Sequence, residues 1–364
     1  PPIVDLSAQA TRIFRWPSSG VEVRVERLRD TGRRLECWIT IQTAKLGAVY
    51  GPVGLDLLSN SQRDGLRRTL KDRDEQDWMA IIQHVAELTI QSLDPPCEFV
   101  DMGSFLPRLD TPWLLDPYIR VKQPTILYAD GGEGKSTFAM ALALHLAGLD
   151  ILPGVHRERL ARTMFLDWES SDDDTHDTLL RLCHGAGEAA IPLDAFTYRR
   201  LNGTFVDHLD SIQQRVSELG VEFVVVDSII AASGESEKPA MAARAYYDAM
   251  RTLSVASLGI THVGKGSDEN KSREDKPYGS VYWGNLARNV WRLALDQDEN
   301  SSTAEIGLFH KKTNKGKRHA GIGYKIQFDD HAIRYLRASV EEMGGVGERA
   351  TPIDQITYVL RGGA

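Results

Sequence analysis

The chain has 364 residues, 42% hydrophobic and 26% charged, ordinary values for a globular protein, and its length suggests two or three domains. With 43 Lys+Arg against 51 Asp+Glu the net charge is −8, which excludes a wholly basic nucleic-acid coat protein but not a local basic groove. Cys37, Cys97 and Cys183 are too few and too far apart for a disulfide framework or a C-x-x-C metal pair. No apolar run approaches the roughly 18–20 residues that span a bilayer, and no leader pattern is visible, so a cytoplasmic protein without a membrane partner is expected.

Residues 1–94 read as a small α+β domain. Val21–Val25 and Leu35–Ile41 alternate apolar and polar residues around the turn residues Asp30-Thr31-Gly32, which predicts a hairpin within a strand-rich stretch over 11–59. Leu66, Leu70, Trp78, Ile81, Val85 and Leu88 predict helix over 60–93, stopped by Pro95-Pro96. Five prolines over 95–117 predict a linker. Pro1 in place of Met, and a final stretch that reads as linker and uncapped helix, set the expectation of a chain cut at both ends, with 339–364 opening a further domain.

Over 118–338 the pattern changes to α/β with a mostly parallel sheet. Strands are predicted at Thr125–Tyr128, Thr163–Leu166, Phe196–Arg199, Glu222–Asp227, Gly259–His262, Ala304–His310 and Gly323–Phe328. Helices are predicted at Lys135–Ala147, Asp174–Gly185, Val206–Leu219, Ala240–Leu253 and Trp283–Val290.

The strongest motif follows the first of these strands: Asp130-Gly131-Gly132-Glu133-Gly134-Lys135-Ser136-Thr137. A strand, a glycine-rich loop, Lys-Ser and an apolar helix make a phosphate-binding loop. Its amides turn inward on phosphate oxygens, Lys135 reaches the β- and γ-phosphates, and the Ser136 hydroxyl ligates Mg²⁺. Ala129 stands where the motif's first Gly is usual, which requires a negative φ there. Asp227, ending an apolar strand, supplies a carboxylate for the Mg²⁺ shell. Glu169 is the preferred group to activate the attacking water, with Asp167 the rival, while Asp172, Asp173 and Asp174 cap the next helix. His262 ends another strand, where it could hydrogen-bond a γ-phosphate or be structural.

Two basic segments follow. Lys265, Lys271, Arg273 and Lys276 could track a nucleic-acid backbone, with Tyr278 and Tyr282 for stacking, or form a solvated loop, since acids interleave with them. Gly307–Gln327 contains Lys311, Lys312, Lys315, Lys317, Arg318 and Lys325 and no acid. It suits nucleic acid, a cation inserted into a neighbour's nucleotide site, or a solvated turn.

Residues ~118–330 resemble the RecA-like ATPases of the RepA type, hexameric replicative helicases of plasmids, phages and integrated elements. The resemblance rests on Ala129–Thr137, Leu166–Ser171, Val224–Ser228, Thr261–Gly264, Lys276–Arg292 and Phe309–Gly316. It implies a RecA-like P-loop ATPase core, ATP and Mg²⁺ as cofactors, Glu169 as catalytic glutamate, Asp227 as the Walker B acid and His262 as the sensor of γ-phosphate. It further implies single-stranded DNA in a channel, a homo-hexamer with ATP between subunits, and a primase or loader as partner. The finger that reaches the next subunit's ATP falls on Lys312, Lys315 or Arg318, because no Arg adjoins Asn314. A DNA-binding filament that does not unwind, or a defence or signalling ATPase with protein partners, are the alternatives.

Overall fold

The computed structural model describes residues 2–5, 11–30, 34–93, 102–103, 113–194, 196–234, 239–264, 277–278 and 281–349. The chain divides into two compact units, residues 1–107 and 108–364.

In the first unit the alternating stretches become an antiparallel sheet in the order β1-β2-β3-β4-β5: β1 (Ile3–Asp5), β2 (Thr11–Trp16), β3 (Val21–Asp30), β4 (Leu35–Thr43) and β5 (Gly47–Asp56). On β4, Leu35, Cys37, Ile39 and Ile41 are buried while Glu36 and Trp38 face out, the period-2 pattern of a half-buried strand. Helices α1 (Asn60–Lys71) and α2 (Trp78–Leu93) share that apolar core through Leu66, Leu70, Trp78, Ile82 and Val85. The single helix expected over 60–93 is thus two. The polar run from Asp72 to Asp77 interrupts it, because Asp side chains compete for backbone donors. Asp77 accepts the Ala80 N–H at 3.1 Å, and the Trp78 indole N–H donates to the Asp74 carbonyl at 2.8 Å.

The second unit opens with β6 (Trp113–Asp116), β7 (Ile119–Arg120), β8 (Pro124–Ala129), α3 (Lys135–Leu146), β9 (His156–Arg157), β10 (Arg162–Asp167) and α4 (Asp172–Gly185). It continues with β11 (Phe196–Arg200), α5 (Leu209–Leu219), β12 (Val221–Asp227), α6 (Ile229–Ser233), α7 (Pro239–Leu253) and β13 (Ala256–His262). It closes with α8 (Val281–Leu286), β14 (Asn289–Asp296), β15 (Thr303–Thr313), β16 (Ile322–Phe328), β17 (Ile333–Ala338) and α9 (Gly344–Arg349). Among the described residues the central sheet has nine strands, ordered β11-β10-β12-β13-β8-β14-β15-β16-β17. It is parallel from β11 to β14 and antiparallel from β14 to β17. The expected α/β fold with a mostly parallel sheet and an added N-terminal antiparallel sheet is observed.

The parallel strands bury both faces, as near-continuous apolar runs should. On β8, Leu127 and Ala129 join the core of α3 and α4, while Ile126 and Tyr128 join that of α5, α6 and α7. Helix α3 is apolar on every side because it is buried on every side. Tyr324 and Ile326 of β16 and Tyr335 of β17 enter the core of α3, and Phe138 lies 6.3 Å from Tyr324 and 6.2 Å from Tyr335. The antiparallel end of the sheet therefore folds back over the helix.

Three expectations change here. The helix expected at Trp283–Val290 is α8 followed by strand β14: Val290, Trp291, Leu293 and Ala294 are buried on alternating faces between β8 and β15, a run that periodicity cannot tell from a buried helix. Part of the expected linker, Trp113–Asp116, is strand β6, paired with β7 and β9. Part of the expected tail is packed: Val340, Met343 and Val346 contact Ala294 and Phe309 in one apolar cluster. Among the described residues no helix is long and apolar enough to cross a membrane.

Candidate active site

Strand β8 delivers the chain into the glycine-rich loop, and α3 begins at Lys135. Gly132 and Gly134 both have φ +76°, a left-handed conformation that L side chains rarely adopt, so the loop's shape requires them. Ala129 is not among the residues of positive φ and ends β8 fully buried. Its φ therefore meets the condition its methyl sets. A Cβ on Gly131 or Gly132 would meet nothing within 4 Å, so the loop opens outward. The Asp130 N–H donates to the Glu133 carboxylate at 3.3 Å. Thr137 lies half-buried in the first turn of α3.

Lys135 is buried, its ammonium donating to the carbonyls of Asp130 at 2.7 Å and Ala129 at 3.3 Å. Burial lowers its pKa, while Asp227, Glu133, Glu169 and Asp130 oppose the shift. The Ser136 hydroxyl hydrogen-bonds the Asp227 carboxylate. Asp227 is pushed up to about 7, first by burial, with Glu169 and Asp167 adding to the shift and Ser136 and Lys135 opposing it. The Ser136 hydroxyl and the Asp227 carboxylate, buried beside two further acids with Lys135 as the neighbouring cation, form a hard-oxygen donor set, which fits Mg²⁺ completed by phosphate oxygens and water. Among the described residues no group of three or more His, Cys, Asp or Glu side chains could hold a metal.

The rival water-activating acids differ sharply. Glu169 is exposed, in the turn just beyond β10. Asp167 is 0% exposed, and both its oxygens accept hydrogen bonds. Of the two, Glu169 is the acid whose side chain reaches solvent. The helix cap is Ser171, which accepts the Asp174 N–H at 3.1 Å. Asp172, Asp173 and Asp174 occupy the first turn of α4 instead, where they complement the helix dipole. His262 ends β13 in register with Ala129, beside the mouth of the loop. Its carbonyl accepts the Tyr278 N–H at 2.7 Å, and Val263 bridges Pro277, so residues 263 and 277 meet. Lys265, Lys271, Arg273 and Lys276, expected to bind DNA, lie outside the described residues.

The basic turn is elsewhere. Lys312 pairs with Val290, which pairs with Ile126, so at about 3.3 Å per residue Lys312 stands roughly 10 Å along the strands from Ala129, toward their N-terminal ends. Residues 314–320 lie beyond it, at the end of the sheet opposite the glycine loop. The Lys312 ammonium donates to the carbonyls of Gly284, Asn285 and Ala287 at 2.9, 2.8 and 2.8 Å. It closes the C-terminus of α8 and is spent within its own chain, which corrects its reading as a finger. Lys315, Lys317 and Arg318 are exposed, and the Arg318 guanidinium lies 3.5 Å from the Lys311 carbonyl. Arg120, which the sequence reading passed over, anchors this turn: it is buried, donates to the Lys315 carbonyl at 2.9 Å and sits 4.1 Å from the Trp113 ring centroid. Nothing in its local sequence separates it from a surface arginine.

Residues 93–268 match the family profile described as an AAA domain. That stretch, just under half of the chain, is similar to AAA domains, and it carries the strand, glycine-rich loop and helix of a phosphate-binding loop. A KaiC-like protein of the hyperthermophilic archaeon Pyrococcus horikoshii is similar over 66% of this chain and 100% of its own, at 18% identity and a TM-score of 0.44. No curated protein matches.

Proposed function

We propose that the chain is a motor that couples Mg²⁺-ATP hydrolysis to movement on single-stranded DNA, assembled as a homo-hexameric ring, in the manner of a replicative helicase of a plasmid, phage or other mobile element. The loop amides and Lys135 hold the phosphates. Ser136 and Asp227 hold Mg²⁺, which when bound neutralises charge on the transferring phosphoryl group. Glu169 orients the attacking water and takes its proton. His262 links the γ-phosphate to the segment at 264–282, which grips DNA.

The observation that carries the ring is the separation of the two chemistries. The phosphate loop is at one end of the sheet, and exposed Lys315, Lys317 and Arg318 are at the other. A basic turn that cannot reach its own phosphate site suits a neighbour's, with Arg318 as the finger.

The test is turnover with and without single-stranded DNA. Lys135→Ala should abolish ATP hydrolysis; normal turnover by that variant would remove the site. Single-stranded DNA should stimulate the wild type, bind in a salt-sensitive way, and a forked duplex should be unwound. No stimulation and no binding would overturn the DNA reading, and binding without strand separation would favour a filament.

A further inference from the structure

We infer that Asp167 is a positioning residue for Glu169, a buried anchor that fixes the turn carrying the water-activating carboxylate; this rests on the role proposed above for Glu169. Among the described residues Asp167 accepts four hydrogen bonds. Its Oδ1 accepts the N–H groups of Glu169 at 2.8 Å and Ser170 at 2.9 Å, so one oxygen shapes the turn. Its Oδ2 accepts the hydroxyls of Tyr198 at 3.1 Å and, more distantly, Thr175 at 3.4 Å, so the other oxygen is tied to β11 and α4. The carboxylate is 0% exposed. A carboxylate that offers both oxygens only to donors, away from solvent, cannot also meet an attacking water.

The backbone on either side is fixed as well. The Trp168 N–H donates to the Asp227 carbonyl at 2.7 Å, and the Trp168 indole N–H donates to the Gly203 carbonyl at 2.8 Å. Leu201 donates to the Asp167 carbonyl at 2.8 Å, and Ser171 caps α4. Only the side chain of Glu169 is left to choose its position, and the Asp167 side chain decides where that choice starts. A displacement of about 1 Å at a reacting group can cost on the order of 10²-fold in rate. Charge-assisted bonds such as those to Oδ1 are the strong kind. Asn at 167 keeps the shape and can turn its NH₂ to the Tyr198 and Thr175 hydroxyls, but it removes the negative charge, so the bonds from the Glu169 and Ser170 N–H groups that shape the turn lose their charge assistance.

The inference predicts a split between kcat and KM. Asp167→Asn should lower kcat by about 10–10²-fold and leave the KM for ATP and the affinity for a fluorescent ATP analogue within about twofold, because the phosphate loop is untouched. The decisive readout is a double-mutant cycle with Glu169→Gln. If Asp167 acts through Glu169, then adding Asp167→Asn to Glu169→Gln costs nothing further. An equal loss in both backgrounds, or full kcat in Asp167→Asn while Glu169→Gln is inactive, overturns the inference. Full turnover by Glu169→Gln would instead sink the underlying reading of the catalytic acid. Should Asp167→Asn fail to fold, the pair Thr175→Val and Tyr198→Phe decides. It frees Oδ2 alone and should lower kcat at least threefold with KM unchanged; unaltered kcat would overturn the inference.

Discussion

Asp167 and Asp227 stand directly opposite each other on the neighbouring parallel strands β10 and β12, yet the fold treats them differently. Asp167 is surrounded by hydrogen-bond donors. Asp227 has the Ser136 hydroxyl and the neighbouring Lys135 to set against burial and two nearby acids. One carboxylate is satisfied by donors on both oxygens, and the other is buried beside two acids with one hydroxyl and one lysine to offset them.

This imbalance should be visible in stability against pH. A carboxyl raised to about 7 in the folded chain, from an ordinary 3.8, binds its proton more readily folded than unfolded. Its contribution to stability is present below pH 3.8 and is lost as pH rises through about 7. Asp227→Asn removes that loss. Without Mg²⁺ or nucleotide the variant should melt a few degrees above wild type at pH 8, and the gap should shrink toward pH 5. Melting curves between pH 5 and 8.5 check this; a gap that does not change with pH would refute it.

His310 works in the opposite direction. Its ring stacks on Trp291 at 4.2 Å and 6°, and its Nδ1 accepts the His319 N–H at 3.0 Å, which requires that nitrogen unprotonated. Burial, with His319, Arg318 and Arg120 nearby, lowers its pKa to about 4, from an ordinary 6.5. That stability is present above pH 6.5 and is lost as pH falls toward 4. Amide exchange in a peptide covering 314–321, corrected for intrinsic rates, should therefore rise at pH 5 relative to pH 7. Equal protection at both values would count against the neutral ring.

Gly185, the last residue of α4, meets β17 at close range. A Cβ there would lie 1.9 Å from the Ile333 carbonyl oxygen, and backbone cannot swing aside as a flexible side chain does. Gly185→Ala should cost about 3 kcal/mol, lowering the melting temperature of the second unit by roughly 6 °C or more. A melting temperature within 1 °C or so of wild type would show that α4 moves away freely.

Lys312→Met keeps the aliphatic stem and removes the cation that closes α8. Faster amide exchange in peptides over 281–290 is expected, with nucleotide affinity unchanged because the phosphate loop is at the other end of the sheet. A loss of nucleotide affinity with α8 still protected would return Lys312 to a role at the phosphate site.

The phosphate loop, the strand ending in Asp227 and the α/β alternation were legible because each has a local signature: glycines between strand and helix, a carboxylate after an apolar run, and changes of period. Strand β14 was not, since Val290, Trp291, Leu293 and Ala294 are buried on both faces and lose the alternation that marks a strand. The choice between Asp167 and Glu169 rests on Tyr198 and Thr175, which come from other elements and carry no motif. Lys312 reads as a free cation in a basic cluster until the fold brings three carbonyls to it. Arg120 is separated from the turn it anchors by 195 residues, beyond any spacing rule.

Helix α3 begins at the phosphate loop and is enclosed by the core on all sides. Nucleotide held by that loop is thereby tied to the least yielding part of the second unit. A ligand on a loosely attached surface loop steadies little beyond the loop itself. Here the free energy of binding is gained only while α3 and the strands around it remain folded, so saturating nucleotide should delay the cooperative melting of the whole unit as RT ln(1 + [L]/Kd) requires. Thermal denaturation thus becomes a direct gauge of nucleotide affinity, even in variants that no longer turn over.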